Sequence, residues 1–456
     1  MAVIGLDCAT PQLLFGELAQ EMPTVRSLLE RGLHGELESI LPPITVPAWA
    51  CAMTGKTPGQ LGIYGFRNRR DTTYEGLAIA TSHSVREPAV WDLLGRAGKR
   101  SLLVGVPPSY PVRPLEGWRI SCFLTPPSAR EFTYPPELAA EVAEELGGDE
   151  YVFDIPDFRK QGEEVVLRQV FVMTERRFRV ARRLARTKPW DFFMLVEMAP
   201  DRLHHVFWHH VDPAHRKHVP GNPYESAFRD YYRFLDGQVA SLLEALPEDA
   251  VVILMSDHGA QAMAGGVCLN EWLAANGYLA FAEPVGSPTP IAQAPVDWAR
   301  TVAWGDGGYY GRVFLNVRGR EPQGVVDPAR YEAVRDELAG ALEAMSGPDG
   351  EPLGNRVFKP EDVYPEVRGV APDLIVYFGD LEWRSVGQVG TGRVFTYEND
   401  TGPDGANHDR QGVFVMVGAK GAAGRREGLR LVDVGPTILS LYGLEAPEGA
   451  VGRSFL

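Results

Sequence analysis

Residues 251–259 read VVILMSDHG. Five apolar residues make a run the length of one strand buried on both faces, and an Asp and a His follow almost at once. Runs of the same kind stand at 2–6, 102–106, 192–196, 374–377 and 413–417. Between them lie helical patterns, such as 24–31, which Gly32 would end. A second spans 224–246, with Phe228, Tyr231, Leu235, Val239 and Leu242 at steps of three and four. Strand alternating with helix predicts an α/β fold, a layered α/β/α core around a mostly parallel central sheet. Segments 117–185 and 265–365, where Pro, Gly and polar residues are common, break this rhythm. They are expected as inserted or cap parts, leaving 1–116, 186–264 and 366–456 as the three parts of the core.

The bulk composition narrows the function. A net charge of −15 over 456 residues disfavours a surface that wraps nucleic acid, which needs excess Lys and Arg against the phosphates. Cys8, Cys51, Cys122 and Cys268 show no CxxC spacing, so neither a disulfide framework nor a thiolate zinc site is indicated. MAVIGLD lacks the charged start of a signal peptide, and no run of about 18 apolar residues is present to span a bilayer. A cytoplasmic protein that does not enter the membrane is expected.

In an open α/β sheet, ligands bind beyond the carboxyl ends of the strands. The polar residues there are the candidates. Asp7 follows the first run, Asp201 and His205 follow 192–196, Asp257 and His258 follow 251–255, and His408 stands just before 413–417. Asp201 and His205 are four residues apart, which puts both on one face of a helical turn, where they can grip one ion. Imidazole and carboxylate donors without cysteine suit zinc, with manganese or iron less favoured. Six ligands suffice for two divalent ions, and two ions about 4 Å apart would clamp the attacking and leaving oxygens of a phosphoryl transfer. Each piece alone has a plainer reading. An Asp after a strand caps a helix, Asp-His-Gly makes a turn, and His204, His209 and His210 of HHVFWHHVD sit as spectators on a solvated helix end. Their coincidence at strand ends of one polarity favours a site.

Residues 42–57, PPITVPAWACAMTGKT, raise another possibility, because TGKT looks like the end of a phosphate-binding loop. That loop needs a first glycine at position 50, which is Ala50, and Pro42, Pro43 and Pro47 interrupt any preceding strand. The alternative is Thr45, a hydroxyl at the start of an expected helix over 48–53 whose amides can face an anion. A hydroxyl bound to zinc can ionise and become a nucleophile near neutral pH.

Taken together, Asp7, Thr45-Val46-Pro47 with Thr54-Gly55 and Gly62-Ile63, Asp201-x-x-x-His205, Ser256-Asp257-His258-Gly259 and Asn407-His408 stand in the order seen in the alkaline phosphatase superfamily. The chain resembles its type I phosphodiesterase/nucleotide pyrophosphatase branch, and within it the predicted phosphohydrolases or phosphomutases of bacteria and archaea. The tail DVGPTILSLYGLEAPEGAVGRSFL also resembles that superfamily's closing segment. The resemblance implies an alkaline-phosphatase-like core and two zinc ions, with manganese as the other option. It implies that Asp201, His205 and His408 hold one ion, that Asp7, Asp257 and His258 hold the second together with the Thr45 oxygen, and that Thr45 forms a covalent phosphothreonine. Relatives bind a phosphate oxygen through an Asn near the Thr-x-Pro element. Here Ala48 and Trp49 follow Pro47, so Asn68, Lys56 and the cluster Arg67, Arg69 and Arg70 are the remaining candidates for that contact.

The expected activity is therefore a di-metal phosphodiesterase acting on a small phosphorylated substrate such as a nucleotide. A sulfatase would need a C/S-x-P-x-R pattern, which Thr45 and Trp49 break. A phosphomutase or phosphomonoesterase would use the same metals, and a non-catalytic metal-binding protein would lack one of the site residues. The basic stretch 174–188, TERRFRVARRLARTK, reads as the exposed face of a helix.

Overall fold

The computed structural model describes residues 1–421 and 423–456. The chain forms two compact units, one of residues 1–61, 80–260 and 408–456, the other of 62–79 and 261–407.

The first unit is built on a ten-stranded sheet among the described residues. Its strands are β1 (Ala2–Leu6), β2 (Leu33–Glu38), β3 (Ser101–Val104), β4 (Gly117–Ile120), β5 (Thr133–Tyr134), β6 (Phe192–Glu197), β7 (Val252–Met255), β8 (Gln411–Val417), β9 (Gly424–Arg425) and β10 (Leu429–Arg430). They lie in the order β9-β2-β8-β7-β1-β6-β3-β4-β5, with β10 also on β2. β7, β1, β6, β3 and β4 are mutually parallel, with Leu6 opposite Glu197 and Gly5 opposite Met255. The expected α/β fold with a mostly parallel central sheet is what the chain adopts. All five residues of β1 and all six of β6 are buried, as strands covered by helices on both faces must be.

β8 is the exception that matters for function. It runs antiparallel to β7, with Phe414 opposite Met255 and Val417 opposite Val252. Its start therefore lies at the edge where the parallel strands end. β2, antiparallel to β8 in turn, ends at that same edge.

The covering helices are α1 (Pro23–Arg31), α2 (Thr45–Thr54), α3 (Val90–Arg96), α4 (Leu138–Glu145), α5 (Glu163–Thr187), α6 (Ala199–Val211), α7 (Ala227–Leu243) and α8 (Val434–Leu441). α7 buries Phe228, Tyr231, Leu235, Val239 and Leu242, the stripe read from the sequence. α1 starts with proline at its first position, and Asp236 of α7 accepts the Thr24 and Val25 amides at 3.0 and 2.9 Å, supplying a cap that the local sequence lacks.

The divisions expected from the sequence need correction. Segment 117–185 is not an insertion: it gives β4 and β5 to the sheet and α5, which packs on α6 and α7. Residues 62–79, expected in the core, belong to the second unit, as do 366–407. The run at 374–377 is likewise not part of the parallel sheet. In the second unit it joins a four-stranded antiparallel sheet with Ala303–Asp306, Gly311–Leu315 and Arg356–Phe358, over a core that includes Leu269, Trp304, Val313, Leu338 and Val376. No helix among the described residues is long and apolar enough to cross a membrane.

Candidate active site

Strand polarity assembles the site. β1 delivers Asp7, β7 delivers Asp257 and His258, and β6 leads into α6, whose first turns carry Asp201 and His205. His408 precedes β8, and because β8 is reversed, a residue before it reaches the same edge as residues after the others. β2 ends there too, and the loop 39–44 brings the chain to Thr45, the first residue of α2. That loop is fastened by Ser39, whose N–H donates to Arg410 O at 2.8 Å and whose hydroxyl donates to Asp257 O at 2.6 Å. All seven residues lie in the first unit and are buried.

Two groups of ligand atoms converge, Asp201 with His205 and His408, and Asp7 with Asp201 and His258, the atoms of each group within 4.8 Å of one another. Asp201 Oδ1 is 3.4 Å from His205 Nε2 and 3.5 Å from His408 Nε2. His258 Nε2 is 3.3 Å from Asp257 Oδ2 and 3.8 Å from Asp7 Oδ1. The His258 and His408 rings stack with centroids 3.8 Å apart. Thr45 Oγ1 lies 3.3 Å from His258 Nε2.

The imidazoles are held as ligands are. His258 Nδ1 donates to Gly259 O at 3.1 Å and His408 Nδ1 donates to Pro43 O at 2.8 Å, which fixes both tautomers with Nε2 turned toward the carboxylates. Burial, and next the His408 charge, keep His258 well below its ordinary pKa, and burial lowers His408. Neutral imidazole is the form that binds a metal. Asp7 Oδ1 and Asp257 Oδ2 are fully buried with no hydrogen-bond partner among the described residues. Burial, and then the nearby Asp201 charge, push Asp7 up; burial, and then Asp7, push Asp257 up. Burial also works against the charge of Asp201, but His205 and Arg202 outweigh it and hold that carboxyl well down. Buried carboxylates pressed together in this way call for a counter-cation. The donor set therefore fits divalent metal.

Supporting groups surround the candidate ligands. Trp49 Nε1 donates to Asp7 Oδ2 at 2.7 Å. A Cβ on Gly5 would lie 2.5 Å from the end of the Trp49 ring, so only glycine lets β1 and α2 approach this closely. Cys8 has φ 64°, uncommon for a non-glycine residue, and its N–H donates to Asp257 Oδ1 at 3.3 Å. Its Sγ lies near His258 and His408, but it donates to Gly259 O, and burial, then Asp201, push the thiol well up, so it stays protonated. Arg202 donates to Asp201 Oδ2 and makes a two-point contact with Asp154 at 2.7 and 2.9 Å.

The other sequence candidates have local roles. Lys56 is buried, donating to Glu448 O and pairing with Glu87 at 3.3 Å. Asn68 is in the second unit, where Oδ1 accepts from Tyr64 N at 2.7 Å and Nδ2 donates to Gly65 O at 2.9 Å, closing a turn. Arg69 pairs with Glu321 at 3.2 Å. His204 has another partner: its Nε2 is hydrogen-bonded to the Tyr232 hydroxyl at 2.9 Å inside an aromatic pocket. The stretch 174–188 is helical as far as Thr187, but Arg177 is buried and pairs with Glu197 at 3.5 Å, so that face is not wholly exposed.

The model of the type I phosphodiesterase / nucleotide pyrophosphatase family matches residues 1–408. No curated protein matches the chain. Among solved structures, human ectonucleotide pyrophosphatase / phosphodiesterase 5 has TM-score 0.58 at 15% identity, covering 98% of this chain and 95% of that one. An inactive form of its murine counterpart in complex with AMP has TM-score 0.53 at 14% identity, with 98% and 95% covered. Phosphonoacetate hydrolase from Sinorhizobium meliloti in complex with phosphonoformate has TM-score 0.61 at 15% identity, with 95% and 93% covered. At these identities the likeness is one of fold.

Proposed function

Because the chain belongs to the type I phosphodiesterase / nucleotide pyrophosphatase family, we propose that it is a metal-dependent phosphoric-ester hydrolase of phosphodiesterase type with Thr45 as its nucleophile. The observation that carries this reading is Thr45 Oγ1, 3.3 Å from His258 Nε2 at the first residue of α2, beside the buried ring of carboxylates and imidazoles.

Asp201, His205 and His408 would hold one divalent ion, and Asp7, Asp257 and His258 the other, with zinc the metal this donor set suits best. Bound there, the ions supply Lewis-acid stabilisation of charge on the attacking and leaving oxygens. Thr45 Oγ1, its proton passed to solvent, attacks phosphorus, and the bond from phosphorus to the leaving alcohol or phosphate breaks, the leaving oxygen taking a proton from solvent as needed. Water then cleaves the phosphothreonine and restores the hydroxyl. No side chain caps the N-terminus of α2, so its first-turn amides place partial positive charge beside Thr45. The burial of Thr45, 2% exposed, limits competing water.

The murine neighbour holds AMP, its inactive form carries a threonine-to-alanine change, and the bacterial neighbour holds phosphonoformate. These support a small phosphorylated or phosphonylated substrate here, and we place the enzyme in the cytoplasm. The test is hydrolysis of bis(p-nitrophenyl) phosphate against p-nitrophenyl phosphate with zinc or manganese. Preference for the diester supports the phosphodiesterase assignment, and preference for the monoester overturns it.

A further inference from the structure

A second convergence of metal-binding atoms lies at the other end of α6. His209 and His210, in its last turn, meet Glu163, the first residue of α5. Their ligand atoms all fall within 4.8 Å of one another. Glu163 Oε1 is 2.8 Å from His210 Nε2 and 3.9 Å from His209 Nε2. His210 stands nine positions beyond Asp201 on α6, a rise of roughly 13 Å at 1.5 Å per residue, while His209 stands four beyond His205, roughly 6 Å, and the two clusters share no side chain.

We propose that Glu163, His209 and His210 form a separate zinc site that clamps the start of α5 to the end of α6. A hydrogen bond to Glu163 accounts for His210 alone. It does not account for His209, whose ring sits 3.9 Å from that of His210 and whose buried Nδ1 has no hydrogen-bond partner among the described residues. Two neighbouring imidazoles turned to one carboxylate oxygen are what a shared cation organises. Burial, then His210 and His215 beside it, hold His209 down to about 4, so its ring is a neutral donor near pH 7. Two imidazoles and one carboxylate fill three positions of a tetrahedral zinc and leave the fourth to water. With the ion on His210 Nε2, the N–H now bonded to Glu163 gives way to the tautomer protonated at Nδ1, and the imidazole stays neutral. The helix so clamped also carries Asp201 and His205, so the site would steady the active-site helix from its far end.

The experiment is a zinc titration of the metal-free 456-residue chain against a chromophoric chelator, with wild type, Glu163→Gln and His210→Gln. Wild type is expected to take up one zinc equivalent more than either variant. An Asp201→Asn chain is expected to keep this equivalent, whatever becomes of the active-site ions. Equal stoichiometry in wild type and both variants overturns the proposal. Circular dichroism checks that each variant is folded. Should either unfold, His209→Asn is titrated instead, and its uptake, one equivalent lower or unchanged, decides in the same way.

Discussion

The Trp49 indole N–H donates to Asp7 Oδ2 at 2.7 Å, and both side chains are fully buried. This one bond ties the end of β1 to α2, one turn beyond Thr45, so the helix of the proposed nucleophile and a proposed metal ligand are positioned together. It also occupies Oδ2 and leaves Oδ1 toward His258, 3.8 Å away. Trp49→Phe keeps most of the ring and removes the donor. Zinc affinity is expected to fall about 10- to 100-fold, as for other lost outer-shell partners. Stability to urea should fall by about 1–3 kcal/mol, because Oδ2 loses its partner. Unchanged zinc affinity would show that the indole does not orient Asp7.

Metal should be coupled to folding. If the buried carboxylates hold divalent ions only in the native state, free zinc at about 100 times its dissociation constant stabilises the protein by about 2.7 kcal/mol. Thermal unfolding with and without zinc measures this. Asp201→Asn is expected to lose most of the zinc-dependent rise in Tm, and a chelator should abolish ester hydrolysis by wild type. The same rise in the variant would place the stabilising ion elsewhere.

Much of this site was legible in the sequence, and the reason is physical. Strands buried on both faces are largely apolar, so β1, β6 and β7 stand out, and the candidate Asp and His ligands follow them closely in the chain. What fails is anything set by tertiary pairing. The run at 374–377 has the composition of a buried parallel strand, yet nothing in it specifies the direction of its neighbours, which are antiparallel. β4 and β5, the last two strands at one side of the sheet, are short and partly exposed with no apolar run, so the sequence reads 117–185 as an insertion. Trp49 and Arg202 carried no sequence signal as supports of Asp7 and Asp201. Only the fold brings Trp49 to Asp7, and only the fold gives Arg202 its second partner, Asp154.

His204 should set part of the acid limit. Burial holds its pKa down to about 3, against 6.5 for the unperturbed group. Between those values the unfolded chain binds a proton that the native chain does not, so stability is fully present above pH 6.5 and lost as pH falls toward 3. From pH 7 to pH 5 this one group accounts for about 2 kcal/mol. Urea unfolding at the two pH values should show that much less acid loss in His204→Gln than in wild type. An equal loss in both would remove His204 from the account.

The Arg177–Glu197 pair is a buried contact of 3.5 Å, and Glu197 Oε1 also accepts the Ala199 N–H at the start of α6 at 2.9 Å. Burial pushes Glu197 up even beside Arg177. Arg177→Leu strands that carboxylate and is expected to cost about 3–5 kcal/mol in urea unfolding. A loss below about 1 kcal/mol would mean that Glu197 accepts a proton at little cost.

The central claim is that the Thr45 hydroxyl is the atom that attacks phosphorus. Steady-state hydrolysis of bis(p-nitrophenyl) phosphate by wild type and Thr45→Ala, each loaded with zinc, tests it most directly. The variant is expected to bind zinc and fold as wild type does and to lose at least about a thousandfold in kcat/KM, as removal of a covalent nucleophile requires. Hydrolysis by Thr45→Ala at the wild-type rate would contradict the account.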